Sequence, residues 1–157
     1  LGNTLDPHAA YLVLRGLKSL HVRFRKHSEN AMVISKYLSE HSKIAKVYYP
    51  GLPSDPCHNI ARKLFKENMY GGVISFKIKG DKEDVYKFMR SLKIIKCSPS
   101  LGGTESVISY PIATTAKHME NSLKEELGIT ENLLRLSVGL EDVNDLLEDL
   151  EYALSNI

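Results

Sequence analysis

The chain has 157 residues, 43% of them hydrophobic and 25% charged, with a formal net charge of +2. That length allows one domain with a buried core, or a domain with an extra arm, and so small a net charge gives no argument for nucleic acid or an anionic membrane as partner. No apolar run approaches the ~20 residues of a membrane span and no leader pattern opens the sequence, which together predict a cytoplasmic protein.

The sequence starts at Leu1, without methionine, and enters a helix within a few positions, so it is expected to be a fragment. Asp6-Pro7 is a helix start: the aspartate caps free amides and the proline is pre-set for the first turn. Val13, Leu17, Leu20, Phe24, His27, Ala31, Ile34 and Leu38 then recur with alternating gaps of four and three, one apolar stripe that predicts an unbroken helix to about His41. Gly16 alone is not expected to end it. At 1.5 Å per residue such a helix is roughly 50 Å long, too long for one small domain to cover. It is expected to run between domains (residues 1–41), with a second unit over residues 42–157. Its basic face, Arg15, Lys18, Arg23, Arg25, Lys26 and His27, reads as a solvated or inter-domain surface, with phosphate binding as the alternative.

Ile44 to Tyr49 predicts a strand, and Pro50, Gly51, Pro53 and Pro56 a loop. A helix is expected over His58 to Lys66 with Ile60, Leu64 and Phe65 inward, and a strand over Val73 to Lys79 with Ile74, Phe76 and Ile78 on one face. Gly80-Asp81 leads to a helix over Lys82 to Leu92, followed by short strands over Lys93–Cys97 and Val107–Tyr110 and a helix over Asn121–Leu127. In the strand Leu133 to Gly139, Leu134, Leu136 and Val138 share one face and Arg135 and Ser137 the other; a last helix starts near Asp142. The order predicts an α+β (α/β sandwich) fold, a long N-terminal helix followed by a mostly antiparallel sheet covered by helices.

The six histidines show no HxxxH or HxxE pair at ligand spacing, so no metal site is expected. Cys57 and Cys97 lack a CxxC spacing and read as reduced thiols. There is no GxSxG elbow and no GxxxxGK[ST] loop. Two features stand out. Ser100-Leu101-Gly102-Gly103-Thr104-Glu105-Ser106 is either a plain tight turn or one shaped to let a ligand approach the backbone. Arg135 lies between Leu134 and Leu136, and burying a guanidinium is costly unless it is paired. Ser106 and Arg135 could jointly bind a carboxylate, for which the planar fork is suited; the alternative is a structural salt bridge from Arg135 to Glu105 or Glu141.

These two stretches, with Leu12-Val13-Leu14-Arg15-Gly16-Leu17-Lys18-Ser19-Leu20, Val47-Tyr48-Tyr49-Pro50-Gly51-Leu52 and the extension Leu140-Glu141-Asp142, resemble the C-terminal part of the Cys/Met-metabolism pyridoxal-phosphate enzymes. That family includes cystathionine γ-lyase, cystathionine γ-synthase, methionine γ-lyase and O-acetylhomoserine sulfhydrylase. The resemblance implies a fold similar to aspartate aminotransferase (fold type I), with a large cofactor domain followed by a small C-terminal domain reached along a long helix. It implies a homotetramer and pyridoxal 5'-phosphate as an electron sink for elimination or replacement at the γ carbon. It also implies that Arg135 clamps the substrate α-carboxylate, with Ser106 beside it, Glu105 at the pocket and Thr115 near its mouth. The Schiff-base lysine of the family lies upstream, in a cofactor domain absent from this chain, and Thr114-Thr115-Ala116-Lys117 falls after the glycine turn where the family has no cofactor lysine. The chain alone is therefore expected to be inactive. Tyr110, where γ-lyases carry a smaller apolar or acidic residue, leaves the substrate open, and a non-catalytic amino-acid-binding module or an oligomer-contact domain are the other readings.

Overall fold

The computed structural model describes residue 2 and residues 4–157; Leu1 and Asn3, in the expected 1–41 segment, lie outside the described residues. The expected single helix is two. Helix α1 spans Pro7–Leu17, with Asp6 Oδ1 accepting from the His8 and Ala9 N–H groups, and α2 spans Leu20–Glu40. Between them Ser19 leaves helical geometry (φ −108°, ψ 3°), and the Gly16 carbonyl accepts from the Ser19 N–H at 3.4 Å and the Arg23 guanidinium at 2.9 Å. A glycine and a serine together weaken the ladder, and the arginine takes the freed carbonyl. The stripe continues through the break, which is why periodicity does not reveal it.

Helix α2 is followed by β1 (Ile44–Tyr48), α3 (His58–Leu64), β2 (Val73–Ile78), α4 (Lys82–Ser91), β3 (Lys96–Cys97), β4 (Val107–Ser109), α5 (Asn121–Glu126), β5 (Leu133–Ser137) and α6 (Val143–Ser155). The strands form one mixed sheet in the order β1-β2-β5-β4-β3. The β1–β2, β2–β5 and β5–β4 pairs are antiparallel, and β3–β4 is parallel. Period-two alternation puts Ile74, Phe76, Ile78, Leu134, Leu136 and Ile108 on the helix-covered face, all fully buried. Ala31, Ile34 and Leu38 of α2, Val85 and Phe88 of α4 and Leu146, Leu150 and Leu154 of α6 close the core over them. Each large side chain so buried is worth about 1.5–3 kcal/mol.

Two expectations fail for identifiable reasons. Ile60, Leu64 and Phe65 are 62%, 72% and 45% exposed, because the seven-residue α3 sits outside the core and buries only Ala61. The strand expected over Lys93–Cys97 shrinks to Lys96–Cys97, because the N–H groups of Lys93, Ile94 and Ile95 all donate to the Asp149 carboxylate of α6, at 2.7, 3.0 and 2.9 Å. Among the described residues no helix is long and apolar enough to cross a membrane, and both cysteines are free.

Candidate functional site

Strand β5 builds the site by alternation: with Leu134 and Leu136 turned into the core, Arg135 and Ser137 take the opposite face. Register sets Arg135 between Ser75 of β2 and Ser109 of β4. The 99–106 loop then runs alongside β5 and is pinned to it at successive points. Arg135 Nη2 donates to the carbonyls of Pro99 (2.8 Å) and Ser100 (3.2 Å), and the Gly102 N–H donates to Ser137 Oγ (2.9 Å). The Leu140 N–H reaches the Thr104 carbonyl (2.8 Å).

Ser106 is the point where the chain reverses into β4. It is fully buried. Its N–H donates to Glu141 Oε1 at 2.6 Å, its hydroxyl to Glu141 Oε2 at 2.8 Å, and its Oγ accepts from the Gly139 N–H at 2.8 Å. Its carbonyl accepts from the Lys96 N–H of β3 at 3.0 Å. The one proton of its hydroxyl is thus committed to a carboxylate, so towards a ligand Ser106 can only accept. The geometry does not show it donating with Arg135 to one carboxylate.

Arg135 forms no ion pair: among the described residues the ion pairs are Arg25–Glu67, His41–Glu151 and Lys87–Asp84. Glu141 is held by Ser106, and Glu105 is exposed, so the structural salt bridge left open by the sequence is absent among the described residues. Instead Arg135 Nε is buried without a hydrogen-bond partner, and its Nη2 meets only neutral carbonyls. The planar fork of an uncompensated guanidinium with a free N–H matches the geometry of an anion with two oxygens. Thr115 is exposed in the turns after the 3₁₀ segment Pro111–Ala113, and none of its atoms bonds to Arg135, Ser106 or Glu105 among the described residues.

Beside this row, Ser137 and Gly102 line a cavity of about 470 Å³ together with Phe24, His27, Gly72 and Val138. A hollow of about 610 Å³ between α2 and α3 shares Tyr70 with it and includes neither Arg135 nor Ser106. Tyr110 does not face the site. It is 2% exposed, its ring packs edge-on against Tyr86 at 5.7 Å, and its hydroxyl donates to the Glu131 carbonyl at 2.6 Å. Burial, helped by Tyr86 and Glu131, pushes its pKa up to about 12. Sequence reasoning missed Glu141 as a partner of Ser106, and Asn30, whose Nδ2 donates to the carbonyls of Gly139 (3.2 Å) and Glu141 (3.0 Å). The available signal was Gly139-Leu140-Glu141 directly after the strand.

The family described as Cys/Met metabolism PLP-dependent enzyme matches residues 1–155. A cystathionine gamma-lyase of Dictyostelium discoideum is 42% identical over 98% of this chain, which spans 39% of that protein. The crystal structure of cystathionine gamma synthase from Xanthomonas oryzae pv. oryzae in complex with aminoacrylate and cysteine superposes with a TM-score of 0.92 at 39% identity, over 98% of this chain and 39% of that one. A Campylobacter jejuni protein described as an O-acetylhomoserine (thiol)-lyase, with N'-pyridoxyl-lysine-5'-monophosphate, gives a TM-score of 0.94 at 36% identity, over 98% of this chain and 36% of that one. The chain thus spans about two fifths of such proteins, and it belongs to the Cys/Met metabolism PLP-dependent enzyme family.

Proposed function

We propose that this chain is the substrate-carboxylate half of a pyridoxal-phosphate enzyme of sulfur amino-acid metabolism, of the cystathionine γ-lyase or γ-synthase type. One observation carries the reading: the Arg135 guanidinium, aligned by Pro99 and Ser100, has a buried Nε–H without a partner and no carboxylate of its own among the described residues. An α-carboxylate supplies the missing charge and acceptor, and a bidentate clamp fixes which bond of the substrate is presented. Glu105, exposed on the 99–106 loop, and Thr115 belong in this reading to the pocket wall and mouth.

The donor set fits the carboxylate end of an amino acid; pyridoxal phosphate would be held outside this chain, and when bound it supplies the electron sink. The residues present bind and orient: Arg135 meets the carboxylate by charge, and Ser106, its hydroxyl proton donated to Glu141 and so with none to give a carboxylate, shapes the wall beside it. Residues 1–41 are read as the link to a cofactor domain, and 42–157 as the small domain. Helix α1 supports this, since it buries no residue and leaves Tyr11, Leu12, Val13, Leu14 and Leu17 about half exposed, an apolar surface suited to a domain or subunit of the proposed homotetramer. The test is Arg135→Lys in the pyridoxal-phosphate-loaded protein that contains this chain. Loss of the planar fork should raise KM for cystathionine about 100-fold; an unchanged KM overturns the assignment.

A further inference from the structure

We propose that Glu141 is a positioning residue for the carboxylate clamp, an inference that rests on the reading of Arg135 just given. Glu141 itself has no contact with Arg135 among the described residues; it acts through the 99–106 loop. That loop presents to the guanidinium the two carbonyls, Pro99 and Ser100, that fix its plane. At its far end the loop is anchored by one carboxylate, which takes both protons Ser106 has to give, from N–H at 2.6 Å and from Oγ–H at 2.8 Å.

The anchor is built, not incidental. Gly139 donates back to Ser106 Oγ, and a Cβ on Gly139 would lie 2.5 Å from both Ser106 N and the Thr104 carbonyl, and against Glu141 Oε2, so the loop and the strand exit touch backbone to backbone with the carboxylate packed against them. The carbonyl of Glu141 is in turn tied to Asn30 of α2. A charge-assisted bond is about twice as strong as a neutral one, and a carboxylate can only accept. Glu141 therefore fixes the direction of the Ser106 proton as well as the place of the loop. An amide at position 141 keeps the size and loses both properties: its oxygen serves one Ser106 donor while its NH₂ opposes the other.

The experiment uses the pyridoxal-phosphate-loaded protein that contains this chain and measures cystathionine turnover for Glu141→Gln, Arg135→Lys and the double variant. Glu141→Gln should raise KM about tenfold with kcat changed less than about threefold, the split expected when binding alone loses its alignment. Both substitutions act on one contact, so the KM of the double variant should fall at least about fivefold below the product of the single effects. Should Glu141→Gln not fold, Glu141→Asp serves the same purpose: the charge stays, the arm shortens by one methylene, and KM should rise likewise. An unchanged KM in the folded Glu141 variant, or effects that simply multiply, overturns the positioning role while leaving Arg135 as the clamp. An unchanged KM in Arg135→Lys overturns the clamp itself.

Discussion

His27 of α2 and Val138 at the end of β5 share a buried hydrogen bond, Nδ1 to carbonyl oxygen at 2.7 Å, across 111 residues of sequence. A carbonyl only accepts, so Nδ1 carries the proton. Gly72 lies against the pair: a Cβ there would come within 2.8 Å of His27 Cβ and 3.3 Å of the Val138 oxygen. The bond seats the helix directly on the strand exit that leads to Gly139 and Glu141. His27→Ala leaves that carbonyl without its partner and should lower stability by about 1–3 kcal/mol, read as a lower urea midpoint at unchanged slope.

The Asp149 carboxylate does for the loop before β3 what an N-cap does for a helix, accepting three consecutive N–H groups from Lys93, Ile94 and Ile95 while only 5% exposed. Asp149→Ala strands three donors in a largely buried place and should cost about 3 kcal/mol or more. Asp149→Asn, with one acceptor oxygen, should fall between. Thermal unfolding of the three proteins checks the order, and equal midpoints contradict it.

Two glycines should behave in opposite ways. At Gly139 an added Cβ meets backbone atoms of Ser106 and Thr104 at 2.5 Å, which no rotamer relieves, so Gly139→Ala should cost several kcal/mol, at about the level of other large single-site losses. Gly16 lies inside α1 with nothing within 4 Å of its Cβ position, so Gly16→Ala should stabilise the helix by up to about 1 kcal/mol. Urea titration measures both, and circular dichroism should show the second as added helix content.

The buried Tyr110 hydroxyl gives a pH signature. Its pKa is raised from 10.0 to about 12, chiefly by burial, with Tyr86 and Glu131 adding to it. The native state then holds a proton that the unfolded chain gives up first, so stability is intact below about pH 10 and is lost as pH rises towards 12. Tyr110→Phe removes this group from the balance and should flatten the fall of melting temperature over that range. A curve as steep as the parent's would assign the loss to other tyrosines.

What the sequence revealed and what it hid divide along physical lines. Strands β2 and β5 were legible because Ile74, Phe76 and Ile78, and Leu134 and Leu136, alternate against a single covered face, and burial imposes that period. Arg135 was legible as an oddity in an apolar strand. The Ser106–Glu141 and Asp149 bonds were not, since they join side chain to backbone or side chain across 35 and 54 to 56 residues, and no periodicity encodes such a pairing. The break at Ser19 was hidden because α1 and α2 keep one stripe in phase across it. The face of Tyr110 was not legible from the resemblance that singled it out: strand parity places it with Ile108, opposite Arg135.

The isolated chain should not cleave cystathionine even when pyridoxal phosphate is supplied. Its site offers a fixed cation in Arg135 and a serine whose proton is held by Glu141, while Glu105 stands in solvent. None of these is a free base poised over a reacting carbon, and without one a proton abstraction gains little from proximity. Lys117, the residue most open to confusion with a Schiff-base lysine, is exposed in the turns after Pro111–Ala113 and has none of the burial that makes a lysine amine nucleophilic. Incubation of the purified chain with cystathionine and pyridoxal phosphate should therefore release no thiol above the rate of free cofactor. Turnover approaching the 1 s⁻¹ or more typical of enzymes, about the lower end of their range, would mean that bond breaking is carried by residues of this chain and that the division into a carboxylate half and a cofactor half is wrong.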